Sequence, residues 1–403
     1  MKQNLNLWEL LKASRGFPVS DPMARLWGYQ YQQKHGVSEI SGVPPLQFKS
    51  HGGYLQDCRI YGNTVQNGTP TPENPVEVHG CGERTENLAP PYSDLVSGFV
   101  NIEGDISPPY STRNEKASKF FSVSPNTTYT FSFRDGQFPR DGIEAPWCGV
   151  GYYDADYKFI VRFSDTQATP LTTNAPPEAK YARISYRSFD TTESTMFVEG
   201  STSPDHYIPY GYKIPVTVSN GTNSVTTPVY IGSEPLHKID DYADYVDFKR
   251  GVVVRRICKV VLTGEKSYAR EETYQRFIAS ISGAKIEGLR LTRVYCTHFL
   301  CVYDGRPISE VPNNSIYTSD VVTGFFFIKT TDYTTPADFK SYLAAQYAAG
   351  TPVTIWYVLA EPEEEPLENL LPIQTIKGSD VLTVGTTVQP SNIWIKGKIK
   401  AID

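Results

Sequence analysis

The sequence predicts a mainly β protein of several domains, built from antiparallel β-sandwich or jelly-roll modules. A short helical segment opens it and one helix lies near the C-terminal domain. Three observations predict this. Aromatic residues make up 13% of the 403 positions, with 27 Tyr and 19 Phe against 3 Met, a balance that suits half-buried strands better than helical cores. Gly and Pro number 30 each, and they punctuate short runs rich in Val, Ile, Thr and Tyr, as turns between strands do. The length exceeds the ~250–300 residues at which a single core stops growing, so more than one domain is expected.

The segment 1–42 stands apart. Leu5 to Ser14 fits a short helix ended by Gly16 and Pro18. Ser20-Asp21-Pro22 then reads as a cap followed by proline at the first helical position. Met23, Leu26, Trp27 and Tyr31 follow at helical spacing on one face. So small a piece cannot bury its own tryptophans. It reads as an anchor whose interface is Trp8, Leu11, Met23, Leu26, Trp27 and Tyr31, docked on another subunit, on a neighbouring protein or on the edge of the first β domain.

Residues 43–86 read as the first part of a β domain, with strands at Leu46–Ser50, Leu55–Tyr61 and Val76–His79, and a polar connector around Glu83–Ala89. Residues 87–211 read as a β-sandwich or jelly roll inserted into that domain. Its strands fall at Phe120–Val123, Tyr129–Phe133, Cys148–Tyr153, Phe159–Phe163, Tyr181–Tyr186 and Thr195–Glu199. In Tyr129–Phe133 three rings alternate with hydroxyls, and in Tyr181–Tyr186 Ala182, Ile184 and Tyr186 point inward, the period of a strand with one buried face.

Residues 212–360 continue the outer β domain. Strands Ile214–Ser219 and Ser224–Tyr230 flank Asn220-Gly221, a strong hairpin signal, and Val252–Leu262 is a long apolar strand. Asp240, Asp241 and Asp244 between tyrosines read as a solvated connector. Thr335 and Pro336 cap a helix that lines up Phe339, Tyr342, Leu343 and Tyr347 and ends at Gly350. Thr354–Leu359 reads as a strand. In the closing piece, 361–403, Glu361 to Pro366 reads as an acidic, proline-broken linker before strands at Val381–Val384 and Ile393–Ile399.

A net charge of −6 argues against nucleic acid as a partner, because phosphate binding needs a concentrated basic surface. No apolar run reaches the length of a membrane span, so no membrane insertion is expected, and the first residues lack the apolar core of a signal peptide. The six cysteines form no C-x-x-C pair and read as reduced, mostly buried thiols. The six histidines are isolated as well. No cofactor or metal is expected; acidic oxygens would suit Ca²⁺, but no EF-hand spacing supports such a site.

Three passages carry a resemblance. Arg59 to Pro75 (RIYGNTVQNGTPTPENP) resembles a phrase common in minor structural and tail proteins of phages and prophages of Gram-positive bacteria. Pro125–Thr130, Tyr153–Asp156 and Glu199–Gly211 look like the carbohydrate-binding-type jelly roll embedded in those proteins. Tyr357–Pro362 and Gln389–Asn392 are similar to their closing passages. The resemblance implies a non-enzymatic virion protein of the tail tip, baseplate or a fibre, made in the host cytoplasm. It implies a homo-oligomer, with a trimer favoured, that contacts other virion proteins. These modules serve both as glycan binders and as inert spacers, so a purely architectural virion or head-fibre protein is the alternative. A glycan-degrading tail enzyme would need two carboxylates facing across a cleft.

Sugar binding asks for an exposed ring against which the C–H face of a pyranose can pack, with polar groups nearby. In the module, Trp147 and Tyr153 are the candidate rings, and Asp154 and Arg187 the candidate polar partners. Strand alternation assigns Tyr152 and Tyr186 to the core, and Asp154 and Asp156 read as turn-forming acids that bond nearby backbone amides.

Overall fold

The computed structural model describes residues 59–109, 114–133, 147–165, 170–187, 195–219, 224–280, 294–302, 307–318 and 324–367, with strand residues 38–39, 46–49, 53–54, 381–385, 394–397 and 400–401. The protein is mainly β, its sheets overwhelmingly antiparallel. The candidate anchor residues Trp8, Leu11, Met23, Leu26, Trp27 and Tyr31 lie outside the described residues. The chain divides into two compact units. The first comprises Met1–Gly82, Ile214–Ile231 and Pro235–Asp403; the second comprises Glu83–Lys213 and Gly232–Glu234.

In the first unit a seven-stranded sheet runs in the order Ser38–Glu39, Trp394–Gly397, Arg59–Tyr61, Tyr245–Asp247, Val252–Leu262, Val353–Pro366 and Tyr295–Cys296. A second sheet orders Ala269–Glu271, Arg276–Ser280, Phe325–Lys329, Ser315–Tyr317 and Leu300–Cys301. Helix α1, Pro336–Ala348, forms where the cap signals place it. Thr335 Oγ1 accepts the Asp338 N–H at 3.1 Å and donates to the Asp338 carboxylate at 2.8 Å. Gly350, at φ +78°, takes the left-handed turn that ends it. Phe339 carries the helix into the core: its ring stacks on Phe277 at 4.3 Å and is fully buried with Leu262, Phe299, Ile355 and Tyr357. Burial of such a ring contributes about 1.5–3 kcal/mol.

Two sequence expectations for this unit are corrected. Glu361–Pro366 is not a linker but the end of the strand Val353–Pro366, with Arg255 opposite Glu363, Val254 opposite Glu364 and Val252 opposite Pro366. Prolines are accepted because, among the described residues, this stretch pairs on one side only and lacks nothing by having no N–H on the other. The glutamates point into solvent, and Arg250 and Arg255 bond Glu364 and Glu365. Asp244, in turn, is no part of a solvated connector: it is buried. Its carboxylate accepts the N–H groups of Arg256 at 2.6 Å and Ile257 at 2.8 Å, where the long strand bulges. The bulge leaves these donors without ladder partners, and the acid supplies them.

The second unit is a two-layer sandwich. One sheet orders Phe159–Asp165, Cys148–Tyr153, Tyr181–Arg187, Glu115–Ala117 and Val96–Ser97, with Phe121–Ser122 also on Tyr181–Arg187; the other orders Leu171–Asn174, Thr128–Phe133 and Thr195–Glu199. Tyr129, Phe131 and Phe133 meet Val150, Tyr152, Ile184 and Tyr186 between the layers. The hydroxyls alternating with those rings are buried too: Thr130 donates to Gly200 O at 2.7 Å and Ser132 bonds Ser203 at 2.7 Å.

Candidate functional site

The alternation that sends Tyr152 into the sandwich sends Tyr153 to the opposite face of the larger sheet. That face is covered. The hairpin of Phe99–Val100 and Ile106–Ser107 lies over it and, with Ala117, Phe120, Phe159 and Tyr181, closes a second small core around Tyr153. Tyr153 is 2% exposed, its hydroxyl donates to Gly104 O at 2.6 Å, and burial pushes the phenol up to about 12. The expectation of an exposed Tyr153 is therefore corrected. Gly104 makes the contact feasible: it sits at φ +88°, and a Cβ there would fall 2.3 Å from the Phe159 ring.

Arg187 is also buried, 3.8 Å from the carboxylate of Glu115, itself buried. Asp154 folds its own turn, as the sequence suggested: its Oδ1 accepts the N–H groups of Asp156 and Lys158, both at 2.9 Å. Trp147 remains half-buried. Its ring lies over Gly149, where an added Cβ would come within 3.2 Å, with Phe99 edge-on at 6.0 Å and the Arg162 guanidinium 5.9 Å away. The four candidates thus do not form one site; of the four, Trp147 alone keeps a half-buried ring beside a cation.

A second aromatic group, which no sequence spacing marks, flanks Tyr153. Tyr157, in the left-handed region at φ +61° and 39% exposed, stacks on Tyr181 at 4.4 Å and leans on Phe120 at 4.9 Å. The Arg183 guanidinium covers Phe120 at 3.6 Å. Burial lowers its pKa, against the opposing pull of Tyr153 and Asp105.

Phe120 also forms part of the wall of an open recess of about 530 Å³, lined by Leu88, Pro90, Leu95, Phe121 and Tyr210 and by the polar Ser93, Asp94 and Lys119. Asn87 fixes one wall. Though it falls in the stretch read as a connector, it is buried and makes four hydrogen bonds, donating to Thr195 O and Ile208 O and accepting from Ala89 N and Phe197 N, all at 2.9 Å. Tyr210, on another wall, is held by Arg84, whose guanidinium donates to its hydroxyl at 3.4 Å.

Comparisons with family models, with curated proteins and with solved structures find no match. Among the described residues no three His, Cys, Asp or Glu side chains converge as metal ligands, and no helix is long and apolar enough to cross a membrane.

Proposed function

We propose that this chain is a non-enzymatic structural protein of a phage tail, at the baseplate, tail tip or a fibre, and that its second unit touches glycans of the host surface. The resemblance along positions 59 to 392 supports the virion role. The two-layer antiparallel sandwich supports the ligand role, since it is the architecture the resemblance implies for 87–211. The observation that carries the ligand reading is Trp147, a half-buried indole beside Arg162. A pyranose packs its C–H face on such a ring while a guanidinium donates to its hydroxyls. Each contact is weak alone, and a homo-oligomer, with a trimer favoured, multiplies it.

A purely architectural protein is the second reading. It is favoured by the burial of Tyr153 and Arg187 and by the turn that occupies Asp154, which turn three glycan candidates to folding. One experiment separates the two. Purified full-length protein is titrated onto cell walls of the host, alongside Trp147→Ala; saturable binding that the variant weakens supports the glycan reading, and no binding by wild type leaves the architectural one. Gold-labelled antibody on intact particles tests the virion role in both, and labelling absent from the particle would refute it.

A further inference from the structure

The recess is separate from Trp147 in what lines it, and its chemistry is more specific. Three rings, Phe120, Phe121 and Tyr210, stand with Leu88, Pro90 and Leu95 around a space of about 530 Å³, inside the range of about 300–1,000 Å³ usual for small-molecule sites. The polar groups are few and sit at exposed positions: Ser93, Asp94 and Lys119. Ser93 Oγ donates to Asp94 Oδ1 at 3.2 Å. One carboxylate and one ammonium cancel, so the lining offers no net charge to an ionic ligand. Rings and aliphatic surface beside a mixed set of donors and acceptors match a molecule with apolar C–H faces and a hydroxylated rim.

The walls are also set before any ligand arrives. Pro90 and Pro91 fix consecutive φ angles. The 3₁₀ turn Tyr92–Asp94 follows, closed by Asp94 N–H to Pro91 O at 2.9 Å and Leu95 N–H to Tyr92 O at 3.1 Å. Leu88 N–H bonds Phe197 O at 2.9 Å, just after the four-bonded Asn87. Phe121 packs on Phe197 at 5.5 Å, and Phe120 lies under Arg183. A site whose walls are held by the fold loses little freedom on binding.

We infer that this recess is a second saccharide site, taking a short uncharged oligosaccharide in preference to a phosphate-bearing wall polymer. The inference rests on the glycan reading of the second unit and adds to it a place and a ligand charge. Tyr210 stacks on the sugar, while Asp94 accepts from and Lys119 donates to its hydroxyls.

Calorimetric titration of the full chain with chitotriose, cellotriose and maltotriose, and separately with polyglycerol phosphate, tests it. Tyr210→Ala and the exposed Lys119→Ala are compared with wild type, with Tyr347→Ala on the first unit's helix as control. The expected result is binding of at least one trisaccharide, weakened about tenfold by each recess variant and unchanged in the control, with polyglycerol phosphate not bound. Melting temperatures show whether Tyr210→Ala still folds; Lys119→Ala serves if it does not. Trisaccharide binding that ignores both recess variants but is lost in Trp147→Ala overturns the inference and leaves the glycan reading standing. Polyglycerol phosphate binding lost in Lys119→Ala overturns the ligand assignment. No binding of any probe, with no binding to host walls, removes both.

Discussion

The carboxylate of Asp244 accepts the backbone N–H of His237 at 2.8 Å, so one buried side chain holds the peptide of another buried residue seven positions away. The same carboxylate takes the two bulge amides of the long strand and lies 4.0 Å from Arg255. Arg255 in turn donates to Pro235 O and Ile231 O. On the other side, Thr64 Oγ1 bonds His237 Nδ1 at 3.2 Å while accepting the Lys238 N–H at 2.8 Å. Gly80 lies so close to the imidazole that a Cβ would come within 2.8 Å of it.

Removing Asp244 leaves three amides short of an acceptor and takes a buried countercharge from beside Arg255. Asp244→Ala is expected to destabilise the first unit by about 3–5 kcal/mol. Asp244→Asn keeps one acceptor oxygen but turns an amide N–H₂ toward a donor, at about 1–3 kcal/mol. Urea unfolding measures both, and equal stability of Asp244→Ala and wild type would refute the role given to the acid.

Acidity divides the network in a second way. Burial raises Asp244 from 3.8 to about 6, against Arg255 and the three amides. Its folded pKa lies above the unfolded one, so its contribution is complete below about pH 3.8 and is lost as pH rises through about 6. Burial, with the charges of Arg255, Lys259 and His79, lowers His237 from 6.5 to about 3. That contribution is present above pH 6.5 and is lost as pH falls toward about 3. The two slopes oppose each other in wild type. Asp244→Asn should expose the histidine slope, with stability falling further on acidification than in wild type; His237→Gln should show the reverse. Parallel pH profiles for all three proteins would contradict this.

Tyr153 is expected to behave as a core residue. Tyr153→Phe removes only the bond to Gly104 and costs about 0.5–1.5 kcal/mol, whereas Tyr153→Ala costs about 3–5 kcal/mol. Gly104→Ala should disrupt the covering hairpin, through the positive φ and the overlap with Phe159. Thermal melts of the second unit check the order, and a Tyr153→Ala protein as stable as wild type would place the ring outside the core.

Helix α1 should depend on its cap and its anchor unequally. Thr335→Ala removes one capping acceptor, at about 0.5–2 kcal/mol, and Phe339→Ala opens a cavity beside Phe277, at about 3–5 kcal/mol. Circular dichroism during thermal unfolding distinguishes the two.

What the sequence discloses follows the range of the interactions involved. Thr128–Phe133 and Tyr181–Arg187 are legible because period-2 alternation is written in consecutive residues, and Cys148–Tyr153 and Thr195–Glu199 because short runs of strand-forming residues are local too. Thr335-Pro336 and Gly350 announced the helix for the same reason. Glu361–Pro366 reads as a linker in sequence because its strand state comes from Val252–Arg255, more than a hundred positions earlier. Asp244 reads as solvated because the amides it serves lose their ladder partners only once the long strand bulges. Tyr153 sat on the predicted face, yet its cover comes from a hairpin some fifty residues upstream. The recess is not legible in sequence, since Leu88–Val96, Lys119–Phe121 and Tyr210 share no spacing that marks them as neighbours.

The strand end at Glu361–Pro366 bears on how the protein behaves in crowded surroundings. A bare sheet margin is a template on which another molecule can add its own strand, and repetition of that step yields amyloid-like stacks. Among the described residues, the margin offers an incoming chain prolines without N–H groups and a row of glutamates, two of them paired with Arg250 and Arg255. Along this stretch, docking by a second copy would meet missing donors and electrostatic repulsion together. Many molecules can then sit at high local concentration without fusing their sheets through this edge.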